Sequence, residues 1–144
     1  MTKELTREQL EKMGIVRITL GANGWIVTRK WHKTSTKREN TPVFEKVIKR
    51  SIAERKHRYS EAKYYPFYSF SYNGKAQAIT ESRLIYAWFY GEVPAGYDVD
   101  HIDNDPFNND LDNLQLLSRR ENLAKRFEDN PDASHNQREW LKKH

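Results

Sequence analysis

The 144-residue chain contains no cysteine, and this absence excludes several kinds of chemistry. Without a thiol there is no disulfide, no thiolate zinc site and no cysteine nucleophile. The sequence has no apolar run near membrane-spanning length, and its polar start, TKELTREQ, lacks the apolar segment of a secretory signal. It also has no internal repeat and no low-complexity segment. We therefore expect a cytoplasmic protein without a membrane partner, located in the host cytoplasm if a virus encodes it.

The charges are distributed unevenly along the chain. Residues 1–60 contain fifteen Lys and Arg against six acidic residues, whereas residues 98–117 contain six Asp and no Lys or Arg. A basic surface beside a compact acidic pocket suits a metal-dependent nuclease, because cations hold a phosphate backbone while carboxylates hold a metal ion. A basic face that is merely solvated explains the same charges equally well, so composition alone leaves both interpretations open.

Residues 1–60 form the first of three predicted regions, a basic hairpin with helices. A capping box, Thr6 with Gln9, opens a short helix. Alternating apolar residues over 16–27, interrupted by the turn GANG, predict a hairpin. Apolar residues at helical spacing over 41–52, following a Thr-Pro pair typical of a helix start, predict a second helix.

Residues 61–128 form the second predicted region, which begins with an aromatic hairpin and a helix. Aromatic residues alternate over 66–72, and the Asn-Gly pair that follows is a strong signal for a hairpin turn. Thr80 then caps a helix with an apolar face, which ends at Gly91. The third region, 129–144, is predicted to be a linker followed by a short helix.

The stretch YDVDHIDNDPFNNDLDNLQLLSRRENLAKR predicts two strands and a helix. The first strand covers 97–100, and the loop DNDPFNND follows it, rich in residues that tolerate turns. A second strand begins at Leu114. Ser118 with Glu121 forms a capping box, so the helix begins at Arg119.

Four polar side chains lie at particular offsets on these elements. Asp100 and His101 end the first strand, Asn113 follows His101 by twelve residues, and Asn122 follows Asn113 by nine. This order and spacing resemble the HNH endonuclease motif, in the variant whose last His is replaced by Asn. Because adjacent strand residues point to opposite faces, Asp100 and His101 can serve one site only where the strand breaks, and the loop supplies that break.

The resemblance covers about Tyr64 to Arg126 and is to phage and intron-encoded homing enzymes of the HNH family. The segments FYSFSYNGK and SRLIYAWFYGEVP are similar to the aromatic strand, turn and helix that often precede the motif in those enzymes. Ser82 stands where many relatives have His. The resemblance implies an α+β protein whose catalytic core is the ββα-metal fold, two short strands and a helix around one divalent metal ion.

The same resemblance implies a role for each motif residue. His101 is expected to be the general base that activates a water, and Asn113 is expected to hydrogen-bond the His101 ring. Asp100 and Asn122 are expected to be the metal ligands. Since both would coordinate through oxygen, Mg²⁺ or Mn²⁺ suits the site better than Zn²⁺.

Basic side chains beside the motif and in the N-terminal region are the predicted DNA contacts. Lys125 and Arg126 share a helical face with Asn122. The N-terminal lysines lie close to Trp31 in the sequence, and a solvated role explains them as well. The full predicted set is Arg119, Arg120, Lys125, Arg126, Lys30, Lys33 and Lys37.

Together these features predict a metal-dependent endonuclease that hydrolyses double-stranded DNA with one metal ion and a His base, leaving a 5′-phosphate and a 3′-hydroxyl. The alternative is a non-catalytic DNA-binding protein on the same scaffold, which the complete motif disfavours. An EF-hand calcium site is excluded, because no alignment of the Asp-rich segment supplies alternating acidic ligands, a central Gly and a closing Glu. The sequence leaves open the target, the number of strands cut, the oligomeric state (a monomer being one option) and the biological role.

Overall fold

The structure, a computed structural model, describes residues 3–32, 43–56 and 62–129. Lys33, Lys37 and the helix predicted within 130–144 lie outside the described residues. The fold is a mixed α+β arrangement of small antiparallel sheets and short helices, as predicted. Its elements in chain order are β1 (Leu5–Thr6), α1 (Arg7–Lys12), β2 (Ile15–Gly21), β3 (Gly24–His32), β4 (Val43–Val47), β5 (Ser51–Arg55), β6 (Lys63–Tyr72), β7 (Lys75–Thr80), α2 (Glu81–Tyr90), β8 (Glu92–Val93), β9 (Tyr97–His101), a 3-10 turn (Leu111–Asn113), β10 (Leu114–Ser118) and α3 (Arg119–Asp129).

The strands of the described residues form four sheets. Two have three strands each, in the orders β2-β3-β4 and β5-β6-β7, and two are pairs, β1 with β8 and β9 with β10. The predicted capping box is present, since Thr6 accepts from the Gln9 backbone and the Gln9 side chain accepts from the Thr6 backbone. The predicted N-terminal hairpin is β2-β3, which closes where Gly21 pairs with Gly24.

The helix predicted over 41–52 is wrong for the described part of that range. Residues 43–47 and 51–55 are strands, and β4 pairs with β3 so that Phe44 lies opposite Trp31. Valine, isoleucine and phenylalanine favour strands, and the spacing that suggested a helix also suits two short strands with a bend between them. Pairing with β3 and β6, which local sequence does not encode, decides between the two.

Within residues 62–129, the turns and helix ends lie where they were predicted, but the Thr80 side chain makes no capping hydrogen bond to α2. The turn of the β6-β7 hairpin has Asn73 and Gly74 at φ +51° and +74°, the left-handed conformation that this pair favours. Helix α2 starts directly after Thr80 and ends at Gly91, with φ +102°. Helix α3 starts at Arg119, and its capping box joins Ser118 and Glu121 through two hydrogen bonds of 3.2 Å.

One hydrophobic core joins the N-terminal region to the segment with the polar motif. Helix α2 lies at its centre, with Leu84, Ile85 and Trp88 buried. Side chains from both sides of residue 60 pack around it, namely Leu5, Leu10, Ile15, Ile18, Val27, Tyr68, Ile79, Val93 and Leu114. Trp25 packs against Phe89 and donates to a backbone oxygen of the loop after β9. No helix within the described ranges is long and apolar enough to span a membrane.

Candidate active site

Strands β9 and β10 carry the first two motif residues at the edge of a loop. The pairing places Asp100 opposite Gln115 and His101 opposite Leu114, so the ladder continues through both residues. The strand break predicted at this pair is therefore wrong, because the strand ends only after His101. Their side chains therefore point to opposite faces of the pair. Asp100 faces α3, whereas His101 faces the loop after β9 and, beyond it, α2.

The Asp100 face holds a cation among oxygen atoms. The Lys125 ammonium donates to Asp100 Oδ2 at 2.6 Å, to the His101 carbonyl at 2.8 Å and to Asn104 Oδ1 at 3.0 Å. Gln115 Nε2 also donates to Asp100 Oδ2, at 2.9 Å. The Asp100 and Lys125 side chains are 14% and 18% exposed. Lys125, which the sequence predicted as a phosphate contact, is paired with Asp100 in this structure.

On the opposite face, the His101 ring is bound by Asn109. The sequence analysis missed this residue. His101 Nε2 lies 2.6 Å from Asn109 Oδ1. The Asn109 amide is 3% exposed, and its Nδ2 donates to Glu81 Oε1 at 2.9 Å and to the Pro106 carbonyl at 3.2 Å. Because both partners of Nδ2 are acceptors, Oδ1 must be the atom that faces the ring. His101 therefore donates from Nε2, so in the neutral ring Nδ1 is the nitrogen with the lone pair.

Asn113, the predicted partner of the ring, makes different contacts. Its Nδ2 donates to Asp103 Oδ1 at 2.9 Å and to the Asn108 carbonyl at 2.8 Å, while its Oδ1 accepts from the Asp103 backbone at 3.1 Å. The side chain therefore holds the loop, and the structure assigns the His101 ring to Asn109 instead. Several Asn residues stand in this loop, and spacing alone does not show which one is buried.

The loop is organised around the carboxylate of Asp103. Hydrogen bonds from the Asn108 side chain, the Asp105 backbone and the Asn113 side chain lower the pKa of Asp103 from 3.8 to about 2. A carboxylate stabilised in this way is ionised at neutral pH and accepts hydrogen bonds from both ends of the loop. The loop therefore keeps its shape through polar contacts at an exposed position.

Glu81 is a buried carboxylate behind this loop, and the sequence analysis did not single it out. It is the first residue of α2 and is 1% exposed. Its Oε1 accepts from Arg50 and Asn109, each at 2.9 Å, and its Oε2 accepts from the Tyr68 hydroxyl at 2.7 Å. Burial and the neighbouring carboxylate raise the pKa of Tyr68. A Glu in the first turn of a helix is ordinarily explained by its favourable interaction with the helix dipole. The sequence alone therefore gave no reason to expect these further contacts.

The other predicted site residues divide into two groups. Asn122 is partly buried in the first turns of α3, three residues before Lys125, and so lies on the helical face that approaches Asp100. Arg119, Arg120 and Arg126 on α3, and Lys30 on β3, are exposed. Within the described ranges, no three His, Asp or Glu side chains cluster so as to hold a metal ion.

Comparison with known proteins assigns a family to this segment. Residues 82–124 match the family model described as HNH endonuclease. This segment of the chain is therefore similar to HNH endonucleases. A stretch of 32 residues is 53% identical to Protein 3.8 of Escherichia phage T7, and it covers 22% of this chain and 26% of the phage protein. The chain thus spans about a quarter of that relative's length. A search of solved structures finds no significant match.

The family assignment carries general consequences for the segment. HNH nucleases generally use divalent metal ions, and an HNH domain implies binding to nucleic acid. The matched segment contains Asp100, His101, Asn113 and Asn122, and it also contains Asn109. The four motif residues and Asn109 therefore lie within the matched segment, whereas Lys125 and Glu81 lie just outside it.

Proposed function

We propose that the protein is a divalent-metal-dependent endonuclease that hydrolyses phosphodiester bonds in double-stranded DNA. One observation carries the proposal. At the end of β9, within the HNH segment, Asp100 is bound by the Lys125 ammonium among other oxygen atoms, while the adjacent His101 ring is held through Nε2 by Asn109. Strands β9 and β10 with helix α3 would then be the ββα-metal core.

His101 would act as the general base through Nδ1. Asn109 binds the opposite ring nitrogen, so the proton accepted from a water would be taken up at the atom facing away from the buried amide. The products would be a 5′-phosphate and a 3′-hydroxyl. Asn113 would support His101 indirectly, because it holds the loop that carries Asn109.

The residues around Asp100 fit a hard divalent cation. The ammonium of Lys125 is surrounded there by carboxylate, carbonyl and amide oxygens, the donor types that Mg²⁺ and Mn²⁺ prefer. Asp100 and Asn122 would be the protein ligands. A bound ion would polarise the phosphate and stabilise the departing 3′ oxygen. Lys125 would release Asp100 at that point and become available for a phosphate contact, its predicted role.

A basic groove between the N-terminal region and strand β6 is our candidate for the main DNA contact. Its volume is about 350 Å³ and strands of two sheets form it, with β3 and β4 on one side and β5 and β6 on the other. Four cationic side chains and two aromatic rings lie along it, and none of its described lining residues is acidic. They are Arg29, Lys30, Lys46, Lys49, Trp31 and Phe70. Cations that follow a phosphate backbone, next to exposed rings, are typical of nucleic-acid surfaces.

One observation favours the alternative, a DNA-binding protein that does not cut. The Lys125–Asp100 ion pair neutralises the carboxylate that a metal ion would need. If this pair never opened, the scaffold would bind DNA without hydrolysing it. The cytoplasm stays the predicted compartment under either function.

Supercoiled plasmid incubated with the protein and Mg²⁺, with and without EDTA, tests the proposal. We expect nicked or linear product with Mg²⁺ and none with EDTA, and the ratio of the two products also reports whether one strand or both are cut. Plasmid that is bound but uncut in both Mg²⁺ and Mn²⁺ would favour the alternative. Product formed equally in EDTA would contradict the metal site.

A further inference from the structure

We propose that Glu81 is a positioning residue for His101 and that it acts through Asn109. The inference rests on the proposed function, in which His101 is the base. It adds a residue outside the four-residue motif, placed before the family-model match at residues 82–124.

The contacts form a continuous chain from the core to the ring. Glu81 Oε1 accepts from Asn109 Nδ2 at 2.9 Å, and Asn109 Oδ1 lies 2.6 Å from His101 Nε2. Glu81 and Asn109 are 1% and 3% exposed, so water does not compete for the bond between them. The ring is therefore held by a path of two side chains that are fixed inside the protein.

Glu81 is itself fixed from two further directions. Arg50 donates to the same Oε1 and the Tyr68 hydroxyl donates to Oε2. It also stands at the N-terminus of α2, where the helix dipole favours a negative charge. Oε1 is thus held by both Arg50 and Asn109, independently of the Tyr68 hydroxyl on Oε2.

The chemical consequence is a choice of ring tautomer. An Asn side chain presents either oxygen or nitrogen to a neighbour, and the partners of the other atom decide which. Glu81 draws Nδ2 toward itself, which turns Oδ1 to the ring and keeps the proton on Nε2. Without Glu81 the amide retains only the Pro106 carbonyl at 3.2 Å, so it can rotate and present Nδ2. His101 would then protonate Nδ1 and lose its acceptor at the reacting position.

The test compares three variants, because a buried carboxylate also contributes to stability. Glu81→Ala removes the acceptor, Glu81→Gln restores a neutral one, and Tyr68→Phe removes only the hydrogen bond to Oε2. Tyr68→Phe is the matched control, since it perturbs the same buried group and leaves the link to Asn109 in place. Each variant is examined by thermal unfolding, DNA affinity, cleavage rate in Mg²⁺ and nitrogen-15 NMR of the His101 ring.

We expect the ring nitrogens to report a proton on Nε2 in wild type, Glu81→Gln and Tyr68→Phe, and a shift toward Nδ1–H in Glu81→Ala. The cleavage rate of Glu81→Ala should fall roughly 10- to 100-fold, the range for loss of a partner that orients a site residue. DNA affinity should stay unchanged. A folded Glu81→Ala with the wild-type tautomer and rate would overturn the proposal, and so would an equal tautomer shift in Tyr68→Phe.

Hydrogen exchange and the ring tautomer still test the role of Glu81 if the Glu81→Ala variant does not fold or the wild-type protein does not cut DNA. If Glu81→Ala does not fold, hydrogen exchange of the Asn109 side-chain amide in wild type serves instead: slow exchange supports the buried bond to Glu81, and fast exchange overturns it. If the wild-type protein never cuts DNA, the proposed function fails. The tautomer readout still decides whether Glu81 positions the ring.

Discussion

The two faces of strand β9 hold their side chains in opposite ways. On one face Asp100 pairs with Lys125, a long side chain from a helix with exposed neighbours, and both groups keep some contact with solvent. On the other face His101 is held by Asn109, whose amide is bound by a carboxylate in the core. One partner can leave by rotating a flexible stem, whereas the other is locked by burial.

The two faces thus suit two different tasks, the exchange of a bound cation at Asp100 and the fixed orientation of the His101 ring. A group that must accept a metal ion benefits from a partner that can be displaced, while a general base benefits from a ring that does not turn. Under the proposed function the alternation of a β-strand assigns the two duties to neighbouring residues.

Loss of the base should have the largest effect. His101→Ala should lower the cleavage rate by about 10²- to 10⁴-fold, the usual contribution of general-base catalysis. The fold and the DNA affinity should stay near wild type, because the ring is only partly buried. Single-turnover cleavage and fluorescence anisotropy measure the two quantities. Cleavage within a few-fold of wild type would remove His101 from the role of base.

Removal of either proposed metal ligand should have the second-largest effect on the cleavage rate. Asp100→Ala should weaken Mg²⁺-dependent cleavage more than Asn122→Ala, because it removes a negative charge where Asn122 offers only a dipole. The dependence of the rate on Mg²⁺ concentration measures this. An Asn122→Ala variant more damaged than Asp100→Ala would reverse the assignment of the dominant ligand.

Lys125 should act on the Asp100 face alone. Lys125→Met removes the cation that competes for Asp100, so we expect tighter Mn²⁺ binding, by less than about ten-fold because a partly exposed ion pair contributes on the order of 1 kcal/mol. Isothermal titration measures the affinity. Arg126→Met is the matched control, since it removes an exposed charge from the same helix. Weaker Mn²⁺ binding in Lys125→Met than in the control would contradict the competition.

The basic groove should affect binding and leave both faces unchanged. Replacing Lys30, Lys46 and Lys49 with Gln should weaken DNA binding, and each lost phosphate contact should lower the slope of log affinity against log salt by about 0.9. Anisotropy over a salt series measures the slope.

The control for the groove carries the same loss of charge elsewhere. Lys3, Lys63 and Lys75 are exposed and outside the groove, so their replacement with Gln should change the slope less. Equal slopes in the two triple variants would place the DNA elsewhere, with Arg119 and Arg126 next to be tested.

The smallest effect concerns the loop. Because hydrogen bonds lower the pKa of Asp103 to about 2, the stability that they give the loop is present above the ordinary pKa of 3.8 and is lost as the pH falls through 2. Asn113→Ala removes one donor and should raise the pKa of Asp103. Asn108→Ala should raise it further, since the Asn108 amide is the largest cause. NMR titration of the Asp103 carboxyl carbon measures this pKa. An unchanged pKa in Asn113→Ala would contradict the hydrogen bond between Asn113 and Asp103.

Local signals predicted most elements of the HNH segment, while tertiary contacts decided the rest. The Asn-Gly turn and the capping box of Ser118 act within a few residues, so the local sequence predicts them. Thr80 marks the start of α2 correctly, although its side chain makes no capping hydrogen bond. The strands over 43–55 depend on partners elsewhere in the chain, and a helical spacing was misleading there.

The candidate site likewise combines residues that local sequence predicts with residues that only tertiary packing brings together. The motif spacing predicted roles for Asp100 and His101, and the structure places them next to each other on β9 with their side chains on opposite faces. Asn109 and Glu81 meet across a separation of 28 residues, and Lys125 reaches Asp100 across 25. No periodicity links such positions, because their contact is created by the packing of α2 and α3 against the strands.

Mn²⁺ binding by His101→Ala and Asp100→Ala, measured alongside plasmid cleavage, tests the division between the two faces most directly. We predict that His101→Ala binds Mn²⁺ with wild-type affinity and does not cut, whereas Asp100→Ala loses both. Equal Mn²⁺ affinities in wild type and both variants would contradict the account, because the metal ion would then be held somewhere other than the Asp100 face.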